Sequence, residues 1–381
     1  MSVARTSAKN GPVIVFYVSA HGFGHAARVI EVIDAVGARD PGARIIIRSS
    51  VAGWLFEVTL RTPADIFAVV TDVGVVQSDS LHVDIEATTR DAGAFYADFP
   101  ARAAAEAAFL RQCGATFVVG DLPPLAFEAA HAAGLPAVAL GNFTWDWIYE
   151  AYPDLLAHAP HVVPAIKAAH RHVSWALRLP MWGGFDSLTC PVVDVPFIAR
   201  RSMRSAAEVR TRLGIAADRR LVLASFGGLG ITNLDLAALA RLDNYTVVTT
   251  GHALGFSGPA PDGVVLLDDR GVYRSGLRYE DLVHAADAVV TKPGYGIIAE
   301  CVANDTALLY TSRGHFAEYD VLVDAMPRLL RCGFIDHADL GAGRWSGHLD
   351  DLLAQPAPPE RPATNGADIA ADLIVEWSRV A

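Results

Sequence analysis

The residues of this chain with the clearest chemical potential lie in four short segments, each directly after an apolar run. The first is Ser19-Ala-His21-Gly-Phe23-Gly-His25-Ala-Ala-Arg28, where small residues let the backbone turn tightly around two imidazoles. Histidine is the side chain best suited to taking a proton near neutral pH, so this segment could supply a general base. A lone histidine is more often structural, and the same residues satisfy the dinucleotide fingerprint G-x-G-x-x-A through Gly22, Gly24 and Ala27. The second segment is Val118-Val-Gly-Asp121-Leu-Pro-Pro124. Asp121 at a strand end can orient an imidazole of the first segment or cap the next helix, and spacing does not choose between the two.

The third segment, Ser225-Phe-Gly227-Gly228-Leu-Gly230, exposes backbone amides that could cradle an anion, although a plain tight turn reads the same way. The fourth, Val290-Thr-Lys292-Pro-Gly294-Tyr295-Gly296-Ile-Ile-Ala-Glu300, runs from a strand end through a Gly-rich turn into a helix. Free amides at a helix N-terminus favour phosphate, and Lys292 adds a positive charge beside them. Glu300, within two turns of that start, is placed to bond vicinal ribose hydroxyls. Two phosphate-type turns in different halves of the chain fit one nucleotide diphosphate in a cleft better than one dinucleotide.

The elements that must position these segments read as a repeated strand-helix alternation. Pro12–Val18, Arg44–Arg48, Ala115–Gly120 and Pro136–Leu140 are short strand-like runs separated by helical stretches such as Ala101–Cys113. The alternation restarts after Arg200 with Arg220–Ser225, Thr246–Thr250, Gly263–Leu267, Ala288–Thr291 and Thr306–Tyr310. The pattern predicts two doubly wound α/β domains, over residues 1–200 and 201–362, joined by a linker within Pro191–Arg204. After a Pro-rich tail, residues 363–381 carry helical spacing at Ile369, Leu373, Ile374 and Trp377, and are expected to pack back on the N-terminal domain.

At 381 residues the chain is long enough for two cores, and 52% of it is hydrophobic. No apolar stretch reaches membrane-spanning length, and the polar start Met1–Pro12 lacks a signal-like apolar segment, so a soluble cytoplasmic protein without stable membrane insertion is expected. A net charge of −11 argues against nucleic-acid binding. Cys113, Cys190, Cys301 and Cys332 are scattered, with no metal-ligand or redox spacing.

At these residues the chain resembles the GT-B glycosyltransferases, and among them the glycosyltransferase-like N-terminal half of plant-type L-arabinokinases. The resemblance runs nearly full length, through Phe16–Arg28, Val76–Asp84, Asn142–Tyr149, Leu177–Pro180, Asp194–Pro196 and Lys292–Glu300. It implies a GT-B architecture of two Rossmann-like domains with a cleft between them. The sugar-kinase half has no counterpart in this sequence, so kinase activity is not implied.

The resemblance also implies individual roles. His25 falls at the acceptor-deprotonating histidine of plant-type UDP-glycosyltransferases and Asp121 at its carboxylate partner. Thr291–Glu300 aligns without gaps on the donor signature T-H-C-G-W-N-S-x-x-E. Lys292 then replaces the phosphate-binding histidine, Tyr295 the tryptophan, and Glu300 keeps the ribose glutamate. Gly296 and Ile297 replace the asparagine and serine, so phosphate binding leans on Lys292 and on the amides of Gly227, Gly228, Gly294 and Gly296. Glu318 resembles the acid that holds donor-sugar hydroxyls.

The expected activity is inverting, metal-independent transfer from a UDP-sugar co-substrate, with no further cofactor, to a small-molecule acceptor. His21, Phe23, Trp145 and Trp147 are expected to line the acceptor groove, with core packing as the alternative for the aromatic residues. Rival readings are a nucleotide-sugar sensor, a sugar-nucleotide epimerase of the same fold, and an NADP oxidoreductase that would use Arg48 on a 2′-phosphate.

Overall fold

The structure is a computed structural model that describes residues 11–227, 230–231, 234–250, 259–267 and 269–380. Among the described residues thirteen strands form two parallel sheets. The first sheet comprises β1 (Val13–Tyr17), β2 (Arg44–Ser49), β3 (Ala64–Ala68), β4 (Phe117–Gly120), β5 (Ala137–Phe143), β6 (Trp175–Gly183) and β7 (Val192–Asp194), in the order β3-β2-β1-β4-β5-β6-β7. The second comprises β8 (Arg220–Ala224), β9 (Tyr245–Thr250), β10 (Val264–Leu267), β11 (Ala288–Thr291), β12 (Ala307–Tyr310) and β13 (Cys332–Phe334), in the order β10-β9-β8-β11-β12-β13. The central strands are continuous apolar runs because helices cover both faces; Ile14 through Val18 are fully buried.

This topology positions the chemistry. In each sheet the winding direction reverses beside the first strand, between β1 and β4 and again between β8 and β11. Loops leaving neighbouring strands on either side of such a reversal diverge and leave a crevice at the strands' carboxyl ends. All four chemically promising segments therefore sit at the two switch points.

The structure departs from the predicted elements at four strands. β3 was not read because its residues are mostly exposed at a sheet edge, with Ile66 39% and Phe67 41% accessible, so it lacks a buried apolar signature. β6 carries Pro180 within it, and β7 and β13 are three residues each, too short to show a period. β7 also lies inside the segment expected to be linker, so Val192–Asp194 is the edge of the first sheet.

Two crossings and one insertion tie the halves together. Outgoing and returning chain pair side by side, Phe197 N–H to the Ala363 carbonyl (3.2 Å) and Gly366 N–H to the Phe197 carbonyl (2.9 Å). The helix Gly366–Val380 then packs on the helix Phe23–Arg39: Ala370, Ala371, Ile374 and Val375 share a core with Val29, Ile33 and Val36. Trp377 stacks on Trp175 at 4.9 Å. The insertion comes from the loop between β3 and the helix Ile85–Ala97. It buries Leu81 among Val222, Ala224 and Phe226 of the second sheet's core. Ser80 anchors it, with N–H to the Gly230 carbonyl (3.1 Å) and Oγ to the Phe226 carbonyl. Among the described residues no helix is long and apolar enough to cross a membrane.

Candidate active site

The helix Phe23–Arg39 starts directly after Gly22, whose φ of 85° lies in the left-handed region that glycine enters without a Cβ penalty. One turn into the helix, His25 points at the loop leaving β4. There Asp121 is held by its own N–H to the Tyr17 carbonyl (2.9 Å), and its Oδ2 lies 2.7 Å from His25 Nδ1. His25 is 8% and Asp121 1% exposed, so the contact is shielded from water. A carboxylate on Nδ1 fixes the tautomer with the proton there and leaves Nε2 as the basic nitrogen. The Phe143 ring closes one side edge-on at 5.7 Å.

A second carboxylate stands behind this pair. Asp72, in the loop after β3, accepts from Ser19 Oγ (3.1 Å) and Trp145 Nε1 (3.2 Å). Its burial, partly offset by the Ser19 bond and by His25, pushes its pKa up to about 6. His21 lies edge-on to Trp145 at 5.6 Å, with Nε2 3.3 Å from Gln77 Nε2. Burial, and then the neighbouring His25, Arg313 and Lys292, hold His21 well below the ordinary imidazole range.

The second sheet brings its own switch point against the first. Gly294 precedes the helix Tyr295–Asn304, whose start meets the start of the helix Phe23–Arg39. A Cβ built on Gly296 would lie 3.3 Å from the Gly24 Cα, so the absence of side chains at both positions permits this approach. Tyr295 crosses the junction to stack on Phe143 at 5.9 Å, and its buried hydroxyl has no partner. Lys292 is half-buried at the end of β11. Burial, reinforced by Arg313, pulls its pKa down to about 7 against an ordinary 10.5. Arg313 packs its guanidinium over Phe316 at 3.6 Å and donates to Glu318 Oε1 at 2.9 Å. Lys292 and Arg313 thus stand together with Glu318 and, on the Lys292 side, Asp79 as the acids near them, a pair of cations that an incoming anion can meet.

The remaining sequence-predicted residues fall as follows. Gly227 lies in the loop after β8 with φ 73°, and Gly228 lies outside the described residues. Glu300 is 5% exposed and its Oε1 accepts from Arg200 Nε at 2.6 Å; Arg200 also lies 3.6 Å from Glu280 and 5.3 Å over the Tyr279 ring. Glu300 thus faces a linker arginine, and burial still raises its pKa. Phe23 is 39% exposed and meets Trp54 edge-on at 6.0 Å, while Trp54 meets Tyr273 of the other half at 6.1 Å.

Two acceptor assignments need correction. Trp145 is 1% exposed, so it braces Asp72 and His21 from within the core and lines no open groove. Trp147 is half-buried and packs one side of its ring against Gly183 at the end of β6, where a Cβ would come within 2.4 Å of it, so that side is closed to a sugar. Arg48, the candidate 2′-phosphate partner, is also occupied: its Nε donates to Glu106 at 2.9 Å and its guanidinium covers Phe109 at 4.0 Å.

Sequence reasoning missed Asp72, Arg200, Arg313 and the linkage of Arg28 to Asp121. Arg28 carried a signal, since it stands three residues after His25 on the same helix face. The others come together through folding alone.

No protein-family model matches the chain. The solved structure of the kitacinnamycin glycotransferase superposes with a TM-score of 0.61 at 18% identity, covering 97% of this chain and 98% of that one. This chain has the GT-B fold. The calicheamicin glycosyltransferase CalG4 gives a TM-score of 0.60 at 15% identity over 97% and 96% of the two chains. A Phytolacca americana enzyme complexed with UDP-2fluoro-glucose and pterostilbene gives 0.59 at 13% over 97% and 95%. In sequence, the chain is 29% identical over 371 residues to the L-arabinokinase of Arabidopsis thaliana, which covers 96% of this chain. It spans 34% of that relative's length. In the GT-B frame, the His25–Asp121 pair belongs to the first sheet's switch point and Lys292–Gly296 to the second's, facing each other across the cleft.

Proposed function

We propose that the protein transfers a sugar from a nucleotide diphosphate sugar, a UDP-sugar, to a hydroxyl of a small-molecule acceptor, with inversion and without a metal. The observation that carries this reading is the 2.7 Å His25–Asp121 contact at one switch point, set directly against the Lys292–Gly296 turn of the other. The GT-B fold, and the UDP-2fluoro-glucose in one structural relative, support the same reading.

His25 Nε2 takes the proton of the acceptor hydroxyl, while Asp121 holds Nδ1–H and stabilises the imidazolium that forms. The acceptor oxygen attacks the anomeric carbon from the face opposite the leaving group, which inverts the centre. The anomeric C–O bond to the β-phosphate breaks, and its electron pair leaves on the diphosphate. That charge is met by Lys292, by the first amides of the helix Tyr295–Asn304 and by the Gly227 loop. The contacts from Arg200 fall on Glu300 Oε1, which leaves Oε2 for ribose hydroxyls. Glu318, pinned by Arg313, takes hydroxyls of the donor sugar. The acceptor enters past Phe23 and His21. A soluble cytoplasmic setting, without nucleic-acid partners, suits this chemistry.

The test is calorimetric titration with UDP, GDP, ADP and NADP in the presence of a chelator, on the protein and on Lys292→Ala. Binding of one nucleoside diphosphate that the variant loses supports the donor site, and acceptor screening with His25→Ala follows. Binding of NADP alone refutes it.

A further inference from the structure

Arg28 is a charged group in direct contact with the His25–Asp121 pair, and the proposed chemistry gives it no part. One turn along the helix from His25, its Nη2 reaches Asp121 Oδ1 and lies 3.3 Å from His25 Nδ1. Its Nη1 donates to Asn142 Oδ1 at 2.5 Å, and Asn142 Nδ2 in turn donates to the Pro180 carbonyl at 2.7 Å. The network thus runs from the helix through the β4 loop to β5 and β6. The side chain is 9% exposed, lines a narrow crevice with Gly24, Asn142, Pro180, Tyr295 and Gly296, and has a buried Nε with no partner among the described residues.

Asp121 therefore has two cationic suitors, one on each oxygen. The guanidinium is permanently charged, whereas the imidazole becomes charged only on taking a proton. When His25 does so, two cations 3.3 Å apart share one carboxylate. Among the described residues, the other ionisable groups near His25 are Asp72, from the loop after β3, His21, from its own turn, and Tyr295, from the facing helix. Asp72 titrates near 6 and His21 is held neutral, so Arg28 is the fixed charge among them.

The geometry points to Arg28 as the positioning residue of the pair: it clamps Asp121 to β5 and, by opposing the imidazolium, sets the pH at which His25 is free to act as base. This inference rests on His25 being the base, and it separates from that reading in the test because the titration of His25 can be read without turnover.

The test follows the His25 ring by NMR through a pH titration in the protein, in Arg28→Met and in Arg28→Lys, alongside the pH dependence of kcat. Removing the neighbouring positive charge should raise the His25 midpoint by roughly one unit in Arg28→Met, with the acid limb of kcat moving up equally. kcat should fall while KM for the donor stays within about twofold. Arg28→Lys keeps the charge but loses the fork, so the midpoint should hold within a few tenths of a unit while kcat falls. An unshifted His25 midpoint in Arg28→Met overturns the inference, as does a raised donor KM with kcat preserved. Should Arg28→Met not fold, a midpoint in Arg28→Lys displaced by a unit overturns it. Full activity in His25→Ala would instead sink the base assignment, and leave the NMR result to judge Arg28.

Discussion

If a donor diphosphate meets Lys292 as proposed, the depressed pKa of that lysine makes donor binding proton-linked. Free Lys292 titrates at about 7 because it is buried beside Arg313. A bound diphosphate supplies the opposite charge and restores the ammonium, so its bound-state pKa rises toward the ordinary 10.5. Where the free form has lost its proton, binding must take one up. With a midpoint of about 7, the free protein is about 90% charged at about pH 6 and about 10% charged at about pH 8. Affinity should therefore weaken about tenfold between these conditions, with about 0.9 proton absorbed per donor at the higher pH. The ligand should be a UDP-sugar, since both its phosphates are esterified and neither titrates here. Calorimetry in two buffers of different ionisation enthalpy reads the proton uptake directly, and Lys292→Arg should flatten the pH dependence. Affinity that is constant from pH 6 to about 8, with no buffer dependence, would show that the diphosphate does not meet Lys292. The free protein offers a second reading. Its folded value lies below the unfolded one, so the unfolded chain binds more protons between about 7 and 10.5. Stability should rise with pH across that window relative to Lys292→Met.

Three further perturbations address separate parts of the site. His25→Ala and Asp121→Asn should each lower kcat by about 10²–10⁴ with little change in donor affinity, read by single-turnover transfer. Equal loss of donor binding would argue against an acceptor-side role. Gly296→Val places branched carbons against Gly24, already 3.3 Å from a Cβ at that position; it should cost about 1–3 kcal/mol by urea unfolding and weaken the donor, whereas a neutral result means the approach is slack. Arg200→Met strands Glu300 as a buried carboxylate, while Glu280 keeps Arg278 at 2.5 Å, and should cost about 3–5 kcal/mol. Adding Glu300→Gln should recover part of that loss in a double-mutant cycle, and strict additivity would mean that the pair is not coupled.

Much of the fold was legible because parallel strands covered on both faces must be continuously apolar. β1, β4, β8 and β11 announce themselves in this way, and the loops that follow them carry the His25, Asp121, Gly227 and Lys292 segments. The edge strands were silent for the converse reason: β3 exposes Phe67, and β13 spans three residues. In the site, a partner within one turn of helix can be read, and Arg28, three residues after His25, carried that signal without being used. Asp72 could not be read, since nothing local distinguishes it from any loop aspartate until Trp145 and Ser19 close over it. The aromatic residues misled because Trp145 and Trp147 are equally suited to a sugar face and to a core. Burial decides between those roles, and burial is a property of the whole fold.

The loop that seats Leu81 in the second core sets a boundary that differs from the one along the chain. Leu81 belongs to the first half by sequence and to the second by packing, with Ser80 bonded to the Phe226 and Gly230 carbonyls. A chimera cut at the linker would carry the C-terminal half away from its own plug and leave a void beneath Phe226. The foreign half would bring a loop shaped for another floor. Grafting of a foreign N-terminal half onto this C-terminal half therefore has to transplant residues 76–84 with the C-terminal half, or redesign Val222, Ala224 and Phe226 to close over the gap.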